Sequence, residues 1–212
     1  MTSDTPPGEE DTPPSAEALA QLRHVSDART IRALAHPVRI ALFEALSLYG
    51  PMTATEAGER IGESPTTCSF HLRQLAKYGF VEEAGGGKGR ARPWKMTSIG
   101  MTIPASDDAE TEIAVATLTR LFRERQLARY QAWLETRAMY PKRWRAAVGD
   151  SQHVFWVTVE ELEALNEELL ALLLPRFRER LTDPSTRPEG ALPVELLLFT
   201  YPVAPPPPEG GS

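Results

Sequence analysis

The sequence predicts a mainly α-helical protein with a small amount of β-structure. Three observations carry that expectation. Residues 53–78 hold two short helical patterns, each with its own cap, separated by a glycine turn. Residues 80–97 read as a two-stranded ribbon with a Gly-rich, cationic tip. From Asp107 to about Met139, apolar residues recur at spacings near three, four and seven. Two short helices followed by a basic hairpin are the layout of a winged helix-turn-helix. The predicted order is therefore a winged helix-turn-helix, then a long helix and a small α/β C-terminal region.

The second short helix is the part expected to read a duplex. Ser64 can cap it, and Pro65 suits its first position, where an N–H has no intrahelical partner. Cys68, Leu72 and Leu75 share one face, with Ala76 beside them. Thr66, Thr67, Ser69, His71, Arg73 and Gln74 lie mostly off that face. A helix entering a major groove needs slim donors and acceptors near its N-terminus, and cations further on for phosphate. Gly79 supplies the left-handed residue that ends it.

The preceding helix runs from Thr55 to about Ile61. Thr53 is its cap, and Glu56 stands at the capping-box position. Gly62 lies in the turn between the helices. In the ribbon, Phe80 to Ala84 is one strand. Pro93 to Thr97 is the other, with Trp94 and Met96 on one face and Lys95 on the opposite one. Gly85, Gly86, Gly87 and Gly89 make the tip permissive. Lys88, Arg90, Arg92 and Lys95 give it four cations with no intervening acid, which suits a wing reaching phosphate or the minor groove.

These residues carry a resemblance. LAHPVRIALFEAL, residues 34–46, resembles the opening helix pair of the ArsR-type winged-helix transcription factors. SPTTCSFHLRQLAKYGFVEE, residues 64–83, resembles their recognition helix and first wing strand. The resemblance spans residues 30–97. It implies a dimeric DNA-binding regulator, usually a repressor released by an effector. It places Pro65, Thr66, Ser69 and Phe70 at base-facing positions, with His71 and Arg73 close to the DNA backbone. Pro65 and Phe70 depart from the family's usual polar types. Phe70 either touches a thymine methyl or packs inward. The expected DNA-binding set is thus Ser64, Pro65, Thr66, Thr67, Ser69, Phe70, His71, Arg73, Gln74, Lys88, Arg90, Arg92 and Lys95.

The chain has 212 residues and a net charge of −6, unevenly placed. Residues 1–20 carry five acids and no base, residues 21–100 carry eleven bases and seven acids, and residues 101–212 carry twelve bases and seventeen acids. A positive module inside an acidic protein fits nucleic-acid binding through one face. Residues 1–14 are expected to be a disordered acidic tail. Residues 15–100 form the expected DNA-binding domain, beginning with a short helix at 15–22. Asp27 caps a helix through Leu34. His36, read as a locally bonding junction residue, precedes Pro37, which opens a helix to about Ser47. Residues 97–106 read as a linker.

Residues 105–203 are the expected helical dimerisation and effector domain. The long helix needs a partner for its stripe, and the resemblance puts such a helix at a homodimer seam. Residues 141–152 read as a basic loop. His153–Val157 and Val194–Tyr201 are strand candidates, pairing either with each other or across a dimer. Between them, Thr158 and Glu161 open a helix over Val159 to about Leu181, which Pro175 should kink or break. Trp133, Phe155, Trp156, Phe177 and Phe199 either line a pocket for an apolar small-molecule effector or belong to a small core. Residues 204–212 are expected to be a disordered Pro-rich tail.

One cysteine excludes an intrachain disulfide and a thiolate metal cluster. His24, His36, His71 and His153 show no ligand spacing, and no phosphate-binding glycine loop or nucleophile elbow is present. No metal, cofactor or enzymatic activity is expected, and no membrane partner. A cytoplasmic location is the default. The expected function is a dimeric transcriptional regulator, a repressor, binding double-stranded DNA. The alternative is a winged-helix module that binds protein.

Overall fold

The computed structural model describes residues 22–85 and 92–204. Wing cations Lys88 and Arg90 lie outside the described residues. So do both expected tails, save Ala204, and the helix expected at 15–22, save Leu22.

In chain order the elements are β1 (Leu22–His24), α1 (Ala28–Leu34), α2 (Pro37–Tyr49), α3 (Ala54–Ile61), α4 (Pro65–Lys77), β2 (Val81–Glu83), β3 (Trp94–Met96), β4 (Gly100–Thr102), α5 (Ala109–Thr136), α6 (Lys142–Ala147) and α7 (Val159–Thr182). Local chemistry starts most of the helices. Asp27, Ser64 and Asp108 each accept a backbone N–H three residues on. Thr53 with Glu56 and Thr158 with Glu161 form complete capping boxes at α3 and α7. At α2 the cap is the His36 imidazole, which accepts from the Val38 N–H.

One core serves everything from β1 to the middle of α5. Ile31, Leu34, Ile40, Leu42, Leu46, Leu72, Leu75, Phe80 and Leu118 are fully buried in it. Burying each such side chain is worth about 1.5–3 kcal/mol, so this cluster outweighs any single cap. β2 and β3 pair antiparallel, with Val81 opposite Met96 and Glu83 opposite Trp94. Trp94 also exchanges two backbone hydrogen bonds with Met52, at 3.0 and 2.8 Å, which ties the wing to the chain ahead of α3.

The architecture is mainly helical, with small strands in the winged module, then a long helix and a C-terminal segment, as the sequence predicts. Several details differ. Leu22 belongs to a strand, and residues 100–102, read as linker, are β4, paired parallel to β1. A three-residue pair between segments this far apart leaves no periodic signal. The first half of α5 buries Thr111, Ala114 and Leu118 against the same core, so the winged module does not end at residue 100. Residues 142–147, expected as loop, are helical. Helix α7 continues through Pro175. The strand candidates 153–157 and 194–201 join no ladder among the described residues. Strand propensity gives a strand only where a neighbour completes the hydrogen bonds, and these two segments do not pair with each other. Among the described residues, no helix is long and apolar enough to cross a membrane.

The corner between α3 and α4 is tightly packed. Gly62 caps α3 in the left-handed region, with φ +76°. The N–H groups of Gly62 and Glu63 both donate to the Gly58 carbonyl. A Cβ at Gly58 would lie 2.5 Å from the Glu63 carbonyl oxygen. Two effects oppose each other here. Gly→Ala inside a helix ordinarily gains about 0.5–1 kcal/mol, whereas overpacking costs about 1–3 kcal/mol. A backbone carbonyl cannot swing away as a side chain can, so the clash wins. Gly58→Ala is expected to lower unfolding stability by about 1–2 kcal/mol in urea titration. A stabilised variant would show that the corner is loose.

Candidate nucleic-acid interface

Helix α4 divides cleanly between its two sides. Cys68, Leu72 and Leu75 have no exposed surface. Thr66, Phe70, Arg73 and Lys77, spaced by four, three and four, form the solvent face. Thr67, Ser69 and Gln74 flank it half-exposed. Pro65 stands exposed at the first turn. The Ser64 hydroxyl is already engaged, accepting from the Thr67 N–H at 3.0 Å and lying 2.8 Å from the Thr67 hydroxyl. Phe70 points outward: it is 53% exposed, edge-on to His71. The solvent face thus offers a hydroxyl, an aromatic ring and two cations.

His71 turns the other way. Its position places it beside Cys68 and Leu75, and it is only 8% exposed. Its ring lies 4.6 Å from the His36 ring. The expected place close to the DNA backbone is therefore corrected: the side chain faces the interior, where it packs on the cap of α2.

Arg23, which sequence reasoning did not single out, secures the other end of α4. Its guanidinium donates to the Tyr78 carbonyl and lies 4.5 Å from the centre of the Phe80 ring. Burial pushes its pKa down, while Asp27 works in the opposite direction. Gly79 has φ +73°, and a Cβ there would stand 3.3 Å from the Arg23 guanidinium. No local pattern marks Arg23, because its partners lie more than fifty residues away.

The wing carries acids as well as cations. Arg92 pairs with Glu83 at 2.8 Å and Lys95 with Glu82 at 3.0 Å, all four side chains largely exposed. The hydrogen bond and charge of Glu83 raise the Arg92 pKa. The strand register sets this up, since Glu82 stands directly opposite Lys95. Reading only residues 88–95 missed it.

Most of the residues expected to line an apolar pocket are exposed within the single chain. Trp156 is fully exposed, Phe155 is largely so, Phe177 and Phe199 are partly exposed, and Trp133 stacks on Tyr130. Arg123 sits over Phe199 at 3.5 Å. Among the described residues, no group of three or more His, Cys, Asp or Glu could hold a metal ion. Cys68 is buried, and desolvation pushes its thiol up, with Glu63 adding to the effect.

A family model described as a helix-turn-helix domain matches residues 34–84. No curated protein matches the chain. The matched span contains α2, α3, α4 and β2. Residues 34–84 are thus a helix-turn-helix domain, and with β3 the structure makes it a winged one. Such a domain supports a DNA-binding, transcription-regulatory role in general.

The histidine pair is expected to give this domain a pH dependence. Burial lowers the pKa of His36, and Arg39 adds to the effect against an opposing Glu63. Burial likewise lowers His71, helped by His36 and Arg39 and opposed by Glu63. The unfolded chain therefore takes up protons first as pH falls below about 6.5, and folding stability drops through that window until the folded sites also protonate. Protonation also removes the acceptor that caps α2. Tm is expected to fall between pH 7.5 and 5. His36→Asn keeps a capping acceptor but cannot titrate, so its Tm profile should be flatter. Identical profiles would exclude His36 as the source.

Proposed function

We propose that the protein is a homodimeric, ArsR-like transcriptional repressor acting in the cytoplasm. In this reading α4 lies in the major groove of double-stranded DNA and the wing reaches the backbone beside it. The observation that carries it is the solvent face of α4: Thr66, Phe70, Arg73 and Lys77 are presented on a helix whose opposite side is locked in the core. Thr66 and Ser69 are base-reading donors, Phe70 meets a thymine methyl, and Arg73 meets phosphate. Ser64, Pro65, Thr67 and Gln74 shape the approach. On the wing, Lys88, Arg90, Arg92 and Lys95 hold the sugar-phosphate rim.

The C-terminal half supports a second copy. Val154 to Val157 and Val194 to Leu198 leave apolar side chains exposed and take part in no ladder among the described residues. Exposed strand-forming segments of this kind are stable when another chain pairs with them. Dimerisation also joins two winged modules on adjacent half-sites. An apolar effector fits best where the dimer gathers Trp133, Phe155, Trp156, Phe177 and Phe199. Its binding shifts DNA affinity by changing the spacing of the two α4 helices.

Two observations favour a protein-binding module instead. The wing's Glu82 and Glu83 neutralise two of its cations, and Phe70 is an exposed aromatic. Salt dependence separates the readings. A DNA regulator should lose duplex affinity steeply as salt rises, and Glu82→Gln with Glu83→Gln should tighten binding several-fold by freeing Lys95 and Arg92. Fluorescence anisotropy with duplex fragments selected from a random pool measures both. No duplex binding at low salt would sink the regulator reading. For the dimer, sedimentation equilibrium is expected to give twice the chain mass, and Phe155→Ser with Trp156→Ser should shift the protein toward monomer. A wild-type monomer at micromolar concentration would exclude the dimer.

A further inference from the structure

Beside α4 lies a cleft of about 310 Å³ lined by Arg29, Arg32, Ala33, Arg39, Gln74 and Tyr78. Its wall brings α1, the first turn of α2 and the C-terminal flank of α4 together. Three guanidiniums at one cleft are unusual in a protein of net charge −6. Only one has an acid: Arg32 pairs with Glu110 at the start of α5. Among the described residues, no carboxylate lies within ion-pair distance of Arg29 or Arg39. The Arg39 Nε is buried with no hydrogen-bond partner, and its Nη2 reaches the Arg32 carbonyl at a long 3.4 Å. Burial lowers its pKa. Like charges gathered with a donor unpaired repel one another, and an anion among them relieves that repulsion.

We propose that this cleft is a phosphate-binding site, and that its occupant is a backbone phosphate of the duplex flanking α4. An α-helix with its side chains is about 10–12 Å across, and the major groove is about 12 Å wide. A helix seated there leaves no space beside it, so whatever borders its solvent face meets a phosphate wall. Gln74 is both a flank residue of α4 and a wall of the cleft. Arg73 and Lys77 lie on the neighbouring solvent face. The arginine fork suits two phosphate oxygens at once. Contacts from α1 and α2 then fix the angle at which α4 enters the groove.

This inference rests on the DNA-binding reading, and the test keeps the two apart. Full-length protein is titrated with a fluorescein-labelled random-sequence duplex over a series of salt concentrations. Arg29→Gln and Arg29→Gln with Arg32→Gln alter exposed side chains, and thermal melts confirm folding. Each lost phosphate contact should reduce the slope of log affinity against log salt by about one. Arg176→Gln, on α7, should leave the slope unchanged. Wild-type binding with unaltered slopes in both cleft variants overturns the cleft site and leaves the regulator reading standing. An equal loss in Arg176→Gln also overturns it, because the effect is then general charge. A wild type that binds no duplex removes both. In a second arm, inorganic phosphate is titrated against chloride at constant ionic strength and followed by Tm. A saturable rise lost in Arg29→Gln, with duplex slopes unchanged, makes the occupant a free anion and overturns the assignment to DNA.

Discussion

The buried side of α4 holds the domain together, and its free side depends on that burial. Cys68, Leu72 and Leu75 are wholly removed from water against the α1 and α2 core. That fixes the rotation of the helix about its own axis, and therefore which residues reach solvent. Its two ends are fixed by different means. At the N-terminus, Ser64 and Pro65 start it immediately after the Gly58 corner, where one added carbon would collide with the Glu63 carbonyl. At the C-terminus, Arg23 from β1 holds the Tyr78 carbonyl and covers Phe80. A rod held at both ends and along one side can present a polar face without losing its place.

Charge is arranged locally and not by region. The winged module carries the chain's positive excess, yet two cations of its wing are answered by acids across the ribbon. Exposed pairs of this kind contribute little to stability, about 0–1 kcal/mol each. They exchange readily for a phosphate. Arg29 and Arg39, beside α4, have no such acid among the described residues, so the uncompensated charge lies along the helix flank. Further along, Glu44 of α2 meets Arg125 at 2.8 Å and Arg129 at 2.9 Å on α5, and Arg129 also reaches Glu195. These pairs connect the helix-turn-helix domain to α5 and α5 to the C-terminal segment. A shift of α5 would be felt at α2, whose first turn supports His71 and the cleft.

The two halves of the chain differ in how far one copy satisfies itself. Up to Leu118 the residues fill a shared core; past it, none of the described residues is fully buried. Helix α7 has a leucine stripe, Leu162, Leu165, Leu169 and Leu173, only half covered. Aromatic side chains of this size remaining in water forfeit the hydrophobic gain that normally orders them.

Local chemistry was legible in the sequence. Caps, breaks and turns depend on residues a few positions apart, so Asp27, Thr53 with Glu56, Ser64 with Pro65, Gly62, Gly79 and Thr158 with Glu161 marked the helices near their observed ends. The helical repeat separated the inward Cys68, Leu72 and Leu75 from the outward Thr66 and Arg73. Whether borderline positions face in or out was settled by packing: Phe70 outward, His71 inward onto His36. Long-range partners were likewise invisible. The β1–β4 pair, the Arg23 lock, the wing's own ion pairs and the arginine cleft each join residues with no shared periodicity. Sequence spacing governs what a few neighbouring residues can do among themselves, whereas contact between distant segments exists only once burial of the core has set their positions.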